Sequence, residues 1–211
     1  MSDSTSRPEL PKTLAARILS ISVLLAAATA AISMGVALVA KGNPLATVGV
    51  DELHRYGGVA IADLFRLEFW RLATAQLIHA KIGHMLLNVI TLFLVGREVE
   101  RAIGGVRLLI VWLVGGGLAT LISPILVEAP WNIGTGASQA TFAFAGCAAV
   151  LVLGHALRPM RGWVLVAFTL IPGLILDVVY GGYPKPGHVA GVLLGAVLGL
   201  LFLARSHRAK R

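Results

Sequence analysis

The sequence predicts an all-α, multi-pass membrane protein with six transmembrane helices. Three observations predict it. Of 211 residues, 57% are hydrophobic and only 13% charged, more apolar surface than a soluble domain can hide. Six apolar runs are each about long enough to cross a bilayer, a crossing that takes about 20 residues. The basic residues flank those runs rather than forming one patch. The net charge of +8 therefore does not point to nucleic acid.

The chain opens with a short polar stretch, residues 1–13, expected to be a cytoplasmic tail. An apolar run of about 24 residues follows from Ile18, too long for the core of a cleavable signal peptide. The single cysteine, Cys147, lies inside an apolar run, so no intramolecular disulfide can form and redox chemistry says nothing of the compartment.

The expected spans are 16–40, 73–95, 106–127, 138–156, 162–180 and 187–204. Together they make a single domain over 14–205, with a basic cytoplasmic tail at 206–211. The connection 41–72 is long. It mixes Asp51, Glu52, His54, Arg55, Asp63, Arg66, Glu68 and Arg71 with Leu53, Val59, Ile61, Leu64, Phe65, Leu67, Phe69 and Trp70. That mixture suits an amphipathic segment lying in the membrane interface with Trp70 at the headgroups. A folded extramembrane loop would use the same residues.

Charge sets the orientation. Arg7, Lys12, Arg17, Arg97, Arg101, Arg107, Arg158, Arg161, Arg205, Arg208, Lys210 and Arg211 fall on one side; Lys41, Arg55, Arg66, Arg71, Lys81 and Lys185 fall on the other. The positive-inside rule puts both termini in the cytoplasm. The 41–72 segment and the turn before Ser138 then face outward.

Polar side chains in a span are costly and therefore functional candidates. Gly134 to Gly146 places Ser138 where a glycine-rich turn meets an apolar run. The second span opens with His79, Lys81 and His84 and then carries Asn88. His84 and Asn88, four apart, share a helix face; His79 and His84, five apart, sit roughly 140° round from one another. That spacing argues against a paired-histidine metal site, and His-Glu-x-x-His is absent. No metal and no cofactor are expected. His84 and Asn88 can converge as donors on one point, or simply join helices by hydrogen bonds.

The last span reads Gly187, His188, Gly191, Gly195, Gly199. Glycine every fourth residue makes a groove that another helix can enter closely. The fourth span, with Ser138 at its head and Ala145, Gly146, Ala148 and Ala149 below, is the natural partner. Ser138 and His188 then lie at similar depth, as a nucleophile and its general base would. A serine in the first turn of a helix also has its own N–H available to an oxyanion, where one preorganised donor is worth about 3 kcal/mol. The Gly-x-Ser-x-Gly elbow of soluble hydrolases is absent, because Ala140 follows Gln139. Asp177 lies near the outer end of the fifth span with no obvious partner within a span, so no charged relay of a transporter is evident.

These residues resemble the rhomboid family of intramembrane serine proteases. The resemblance runs from about Trp70 to Gly199. It comprises Trp70-Arg71; His79, His84 and Asn88; Gly96, Glu100 and Gly104; Gly136-Ala137-Ser138; and His188, Gly191 and Gly195. It implies a rhomboid-like six-helix bundle and a Ser–His dyad with no acidic third member. Ser138 would be nucleophile and His188 base. The Ser138 N–H, His84 and Asn88 would bind the oxyanion, and His79 would be structural. The last outer loop, 180–187, and the fifth helix would gate entry. Three departures from the family pattern are Gln139 for glycine, Phe142 for tyrosine and Gly187 for alanine.

The expected activity is endoproteolysis of transmembrane proteins near the outer face of a plasma (inner) membrane. The expected partners are those substrates and the lipid bilayer. The alternative is a non-catalytic rhomboid-like protein that binds transmembrane helices; inactive relatives typically lack the serine or histidine, and both are present.

Overall fold

The computed structural model describes residues 20–127 and 132–208. The expected tail 1–13 and residues 209–211 lie outside them. Among the described residues the architecture is all-helical, apart from one isolated β-bridge between Val59 and Gly134.

Helix α1 spans Ile21–Lys41. Its first turn is capped from a distance: the Glu100 carboxylate accepts Ile21 N–H at 2.8 Å, Ser22 N–H at 3.0 Å and Ser22 O–H at 2.7 Å. An acidic group at a helix N-terminus satisfies free N–H groups and the helix dipole together. This gives the Gly96, Glu100, Gly104 spacing a physical account. Gly96 lets Phe144 and Ser22 approach, since a Cβ there would lie 3.1 Å from each. Gly104, at φ +87°, ends the helix that carries Glu100.

The long connection folds into short helices α2 (Val50–Arg55), α3 (Ile61–Phe65) and α4 (Arg71–Thr74). Arg71 knits them, donating to His54 O at 2.7 Å, Gly58 O at 2.9 Å and Glu68 Oε2 at 2.5 Å. Asp63, fully buried, accepts from Ala60 N–H, His54 and Arg66. Phe65, Leu67, Phe69 and Trp70 remain exposed. The segment is thus a folded layer with an apolar outer row.

The second span differs from the expected 73–95. After α4, Ala75–Leu77 form one 3-10 turn, Ile78 turns extended, and helix α5 runs Ile82–Ile103. The apolar residues 72–78 belong to the loop layer, where Gly136 N–H bonds Ala75 O at 2.8 Å. His79 therefore precedes the helix, and helical spacing does not relate it to His84.

The third span joins α6 (Gly105–Ile110) to α7 (Gly117–Ile122) through a π-helical turn at Val111–Gly116. Helix α8 spans Ser138–Leu153, α9 Pro159–Gly181 and α10 Pro186–Arg208. Five helical segments among the described residues are long and apolar enough to cross a membrane. Helix α8, at 16 residues, is shorter. At 1.5 Å per residue it reaches about 24 Å against a hydrocarbon core of ~30 Å. It is also the most enclosed, with Ser138 to Ala148 buried without a break.

Helix α8 packs most extensively on α10. Their backbones meet without side chains between them: a Cβ on Gly195 would collide with Ala143 O, one on Gly146 with Val192 O, and one on Gly191 would lie 2.6 Å from Gln139 O. The groove expected from glycine at every fourth position is this seam. It sets Ser138, at the start of α8, beside His188, near the start of α10.

Candidate active site

Three helix ends meet at one end of the bundle. Ser138 opens α8, His188 lies in the first turn of α10, and Asp177 lies four residues before the end of α9. Ser138 Oγ lies 2.8 Å from His188 Nε2. Both residues are buried, 6% and 5% exposed.

The turn before Ser138 is held on two sides. Gly134 and Val59 exchange backbone hydrogen bonds of 3.0 and 2.8 Å, tying it to the folded outer loop. Gly136 adopts φ +93°, a conformation that favours glycine. A Cβ there would also lie 3.3 Å from His84 Cε1. Ser138, as the first residue of α8, has an N–H with no acceptor one turn back in the helix. Thr141 Oγ1 donates to Ser138 O at 2.8 Å.

His79 sits behind this turn. Its Nε2 lies 3.1 Å from Ala137 N–H and 3.0 Å from Asn88 Nδ2, two donors. Nε2 therefore carries the lone pair, and Nδ1–H faces Ser33 Oγ at 3.0 Å, which passes its own proton to Leu77 O at 2.8 Å. His79 thus props the turn from outside α5. His84 stands edge-on to it, ring centroids 5.2 Å apart. Asn88 is buried, its amide engaged with His79 and, at 3.5 Å, with Thr141 Oγ1.

Phe142 stacks on His188 and lodges against Gly173 of α9, where a Cβ would lie 2.5 Å from the phenyl ring. The ring that replaces the family's tyrosine keeps the stacking position. Gln139 Oε1 lies 3.2 Å from Ser138 Oγ, while its Nε2 donates to Ser123 Oγ at 3.2 Å. Gly187 packs against the third span, where a Cβ would meet Ser123 Oγ and lie 2.8 Å from Ala119 O.

The residue that sequence reasoning missed is Asp177. It is 1% exposed, and its Oδ2 lies 2.7 Å from His188 Nδ1 and accepts Lys185 N–H at 2.9 Å. The expectation that Asp177 has no partner is corrected: its partner is on the next helix, across the short turn. The available signal was a carboxylate inside an apolar run at the depth of His188.

Fold and site define a multi-pass membrane protein with a serine, an imidazole and a carboxylate buried in line at one end of its helix bundle. The Rhomboid domain model matches residues 66–205. The chain belongs to the rhomboid family. It is 27% identical over 170 residues to RHOMBOID-like protein 4 of Arabidopsis thaliana, covering 79% of this chain and 43% of that protein. To RHOMBOID-like protein 7 of the same plant it is 29% identical over 168 residues, 77% of this chain and 52% of that protein. To Rhomboid protease GluP of Bacillus subtilis (strain 168) it is 29% identical over 162 residues, 73% of this chain and 31% of that protein. The match spans about half or less of each relative's length.

Proposed function

We propose that the protein is a serine endopeptidase that cuts transmembrane segments of other membrane proteins. The observation that carries this reading is the 2.8 Å contact between Ser138 Oγ and His188 Nε2 at the head of a short, enclosed helix. Ser138 attacks the scissile carbonyl carbon as its proton passes to His188 Nε2. The carbonyl oxygen becomes an oxyanion that the Ser138 N–H can receive. His84, beside the same turn, and Asn88, which keeps a second amide N–H while one is held on His79, are the α5 candidates to complete that hole. The imidazolium then gives its proton to the departing amine, and the C–N bond breaks. Water attacks the acyl ester with His188 again as base, releasing the acid and restoring Ser138.

A helical peptide bond has its backbone groups already paired and must unwind before attack. Substrates with glycine or proline near the cut, weak helix formers, are favoured. The excess of basic residues on one side supports a reading with the termini in the cytoplasm and the site toward the outer face. At about 24 Å, α8 is shorter than a ~30 Å hydrocarbon core, which supports a Ser138 end set below the outer edge.

The test is purified protein with a model single-span substrate and a fluorophosphonate probe. Wild type cleaves and is labelled, and Ser138→Ala does neither. Cleavage persisting in Ser138→Ala overturns the mechanism. Binding of helices without cleavage or labelling by wild type identifies the non-catalytic binder instead.

A further inference from the structure

We propose that Asp177 is the positioning residue for His188, making the site a serine–histidine–aspartate line rather than a pair. The inference rests on the reading of Ser138 as nucleophile, and it departs from the two-member arrangement that family resemblance implies.

A carboxylate only accepts, and a neutral imidazole carries one N–H. The 2.7 Å contact from Asp177 Oδ2 therefore assigns that N–H to Nδ1. The lone pair is left on Nε2, 2.8 Å from Ser138 Oγ, where a general base needs it. Stacking on Phe142 fixes the plane of the ring but not which nitrogen is protonated.

A carboxylate is costly in an apolar bundle unless its oxygens are paired. Here Oδ2 takes both His188 and the Lys185 N–H, and Oδ1 lies 3.7 Å from the half-exposed Lys185 ammonium. Lys185 O in turn accepts His188 N–H at 2.9 Å. The turn between α9 and α10 thus holds both residues from the backbone side. The ionisable groups facing His188 are Asp177 from α9, Lys185 from the turn and His84 from α5. Helix α8 presents Ser138 and Phe142, and the third span presents Ser123 by way of Gly187. Asp177 is the group among these that stabilises the imidazolium formed when Ser138 gives up its proton.

Asp177→Asn keeps the shape and offers an amide oxygen to Nδ1–H and Lys185 N–H, while removing the charge. In full-length protein in detergent, its kcat/KM falls by on the order of 10–100-fold. The acid limb of its pH profile moves down by about one unit. Asp177→Glu returns the limb toward wild type. A merely structural role lowers the folded fraction and leaves the limb where it was. NMR of ring-labelled His188 gives a readout that needs no turnover. Wild type holds the proton on Nδ1, and in Asp177→Asn the Nδ1–H resonance moves upfield as its charged acceptor is lost. An unmoved resonance and limb in Asp177→Asn, or an Nε2–H tautomer in wild type, overturns the inference while the Ser138 reading stands. Failure of wild type to cleave overturns that reading and leaves the imidazole spectrum to decide this one.

Discussion

The ring of Phe142 lies face to face with that of His188, centroids 4.2 Å apart and planes 18° from parallel. The rim of the Phe142 ring, at Cε2 and Cζ, meets Gly173. Phe142 is therefore the wall that keeps the imidazole upright between Ser138 and Asp177. Phe142→Ala should lower fluorophosphonate labelling of Ser138 about tenfold by loosening the base. Phe142→Tyr should stay within about threefold of wild type. Labelling rates at fixed probe concentration distinguish the two; equal rates for Ala and Tyr would remove the stacking role.

The glycine seam predicts a sharp contrast between two glycines. Gly195→Val should destabilise the protein by about 1–3 kcal/mol or more, because α8 and α10 must part to admit the side chain. Gly35→Ala, in α1 with open space around it, should be neutral or stabilising by up to about 1 kcal/mol. Thermal unfolding in one detergent reads both. A Gly195→Val protein as stable as wild type would mean the helices do not touch there.

Asp63 predicts an acid transition in the outer loop. Burial pushes its carboxyl up, but hydrogen bonds from Ala60 N–H, His54 and Arg66 outweigh burial and hold it at about 2, below the ordinary 3.8. The folded value lies below the unfolded one. The stabilisation is therefore complete above about pH 4 and lost as pH falls toward about 2. Its size is on the order of 1–2 kcal/mol, discounted because Arg66 reaches solvent. Hydrogen exchange across residues 57–71, corrected for intrinsic rates, should rise over that window in wild type. Asp63→Asn should show raised exchange at every pH and no acid step.

Gln139 competes for the Ser138 proton. A hydroxyl has one hydrogen, and Ser138 Oγ faces both His188 Nε2 at 2.8 Å and Gln139 Oε1 at 3.2 Å. The shorter contact dominates, so Gln139→Ala should raise the cleavage rate only about two- to threefold. A fall in rate would show instead that Gln139 supports the site, through Ser123 or through substrate.

The most legible features were those that the bilayer makes expensive. Ser138, His84, Asn88 and His188 stood out because polar groups are costly in apolar runs. The recurring glycines foretold the α8–α10 seam because little else packs backbones so closely. The start of the second helix was not legible. Ala73, Leu77 and Ile78 read as membrane-spanning by hydropathy, yet they line a folded loop whose bonds, such as Gly136 to Ala75, run to residues far along the chain. Asp177 was visible but unassigned, since its partner lies eleven residues on, across a turn that no helical spacing relates. The π-helical turn at Val111–Gly116 had only its run of glycines to announce it.

The touching backbones of α8 and α10 leave no slack between Ser138 and His188, so on the proposed reading room for an incoming polypeptide has to be made elsewhere. Helix α9 is the least enclosed of the five long spans, and Pro172 interrupts its hydrogen bonding. It is also the helix that carries Asp177. Tilting α9 outward would draw the carboxylate off the imidazole in the same movement that clears a path. Admission and bond-breaking would then alternate like the two positions of a turnstile, and the machinery would idle whenever its door stood ajar.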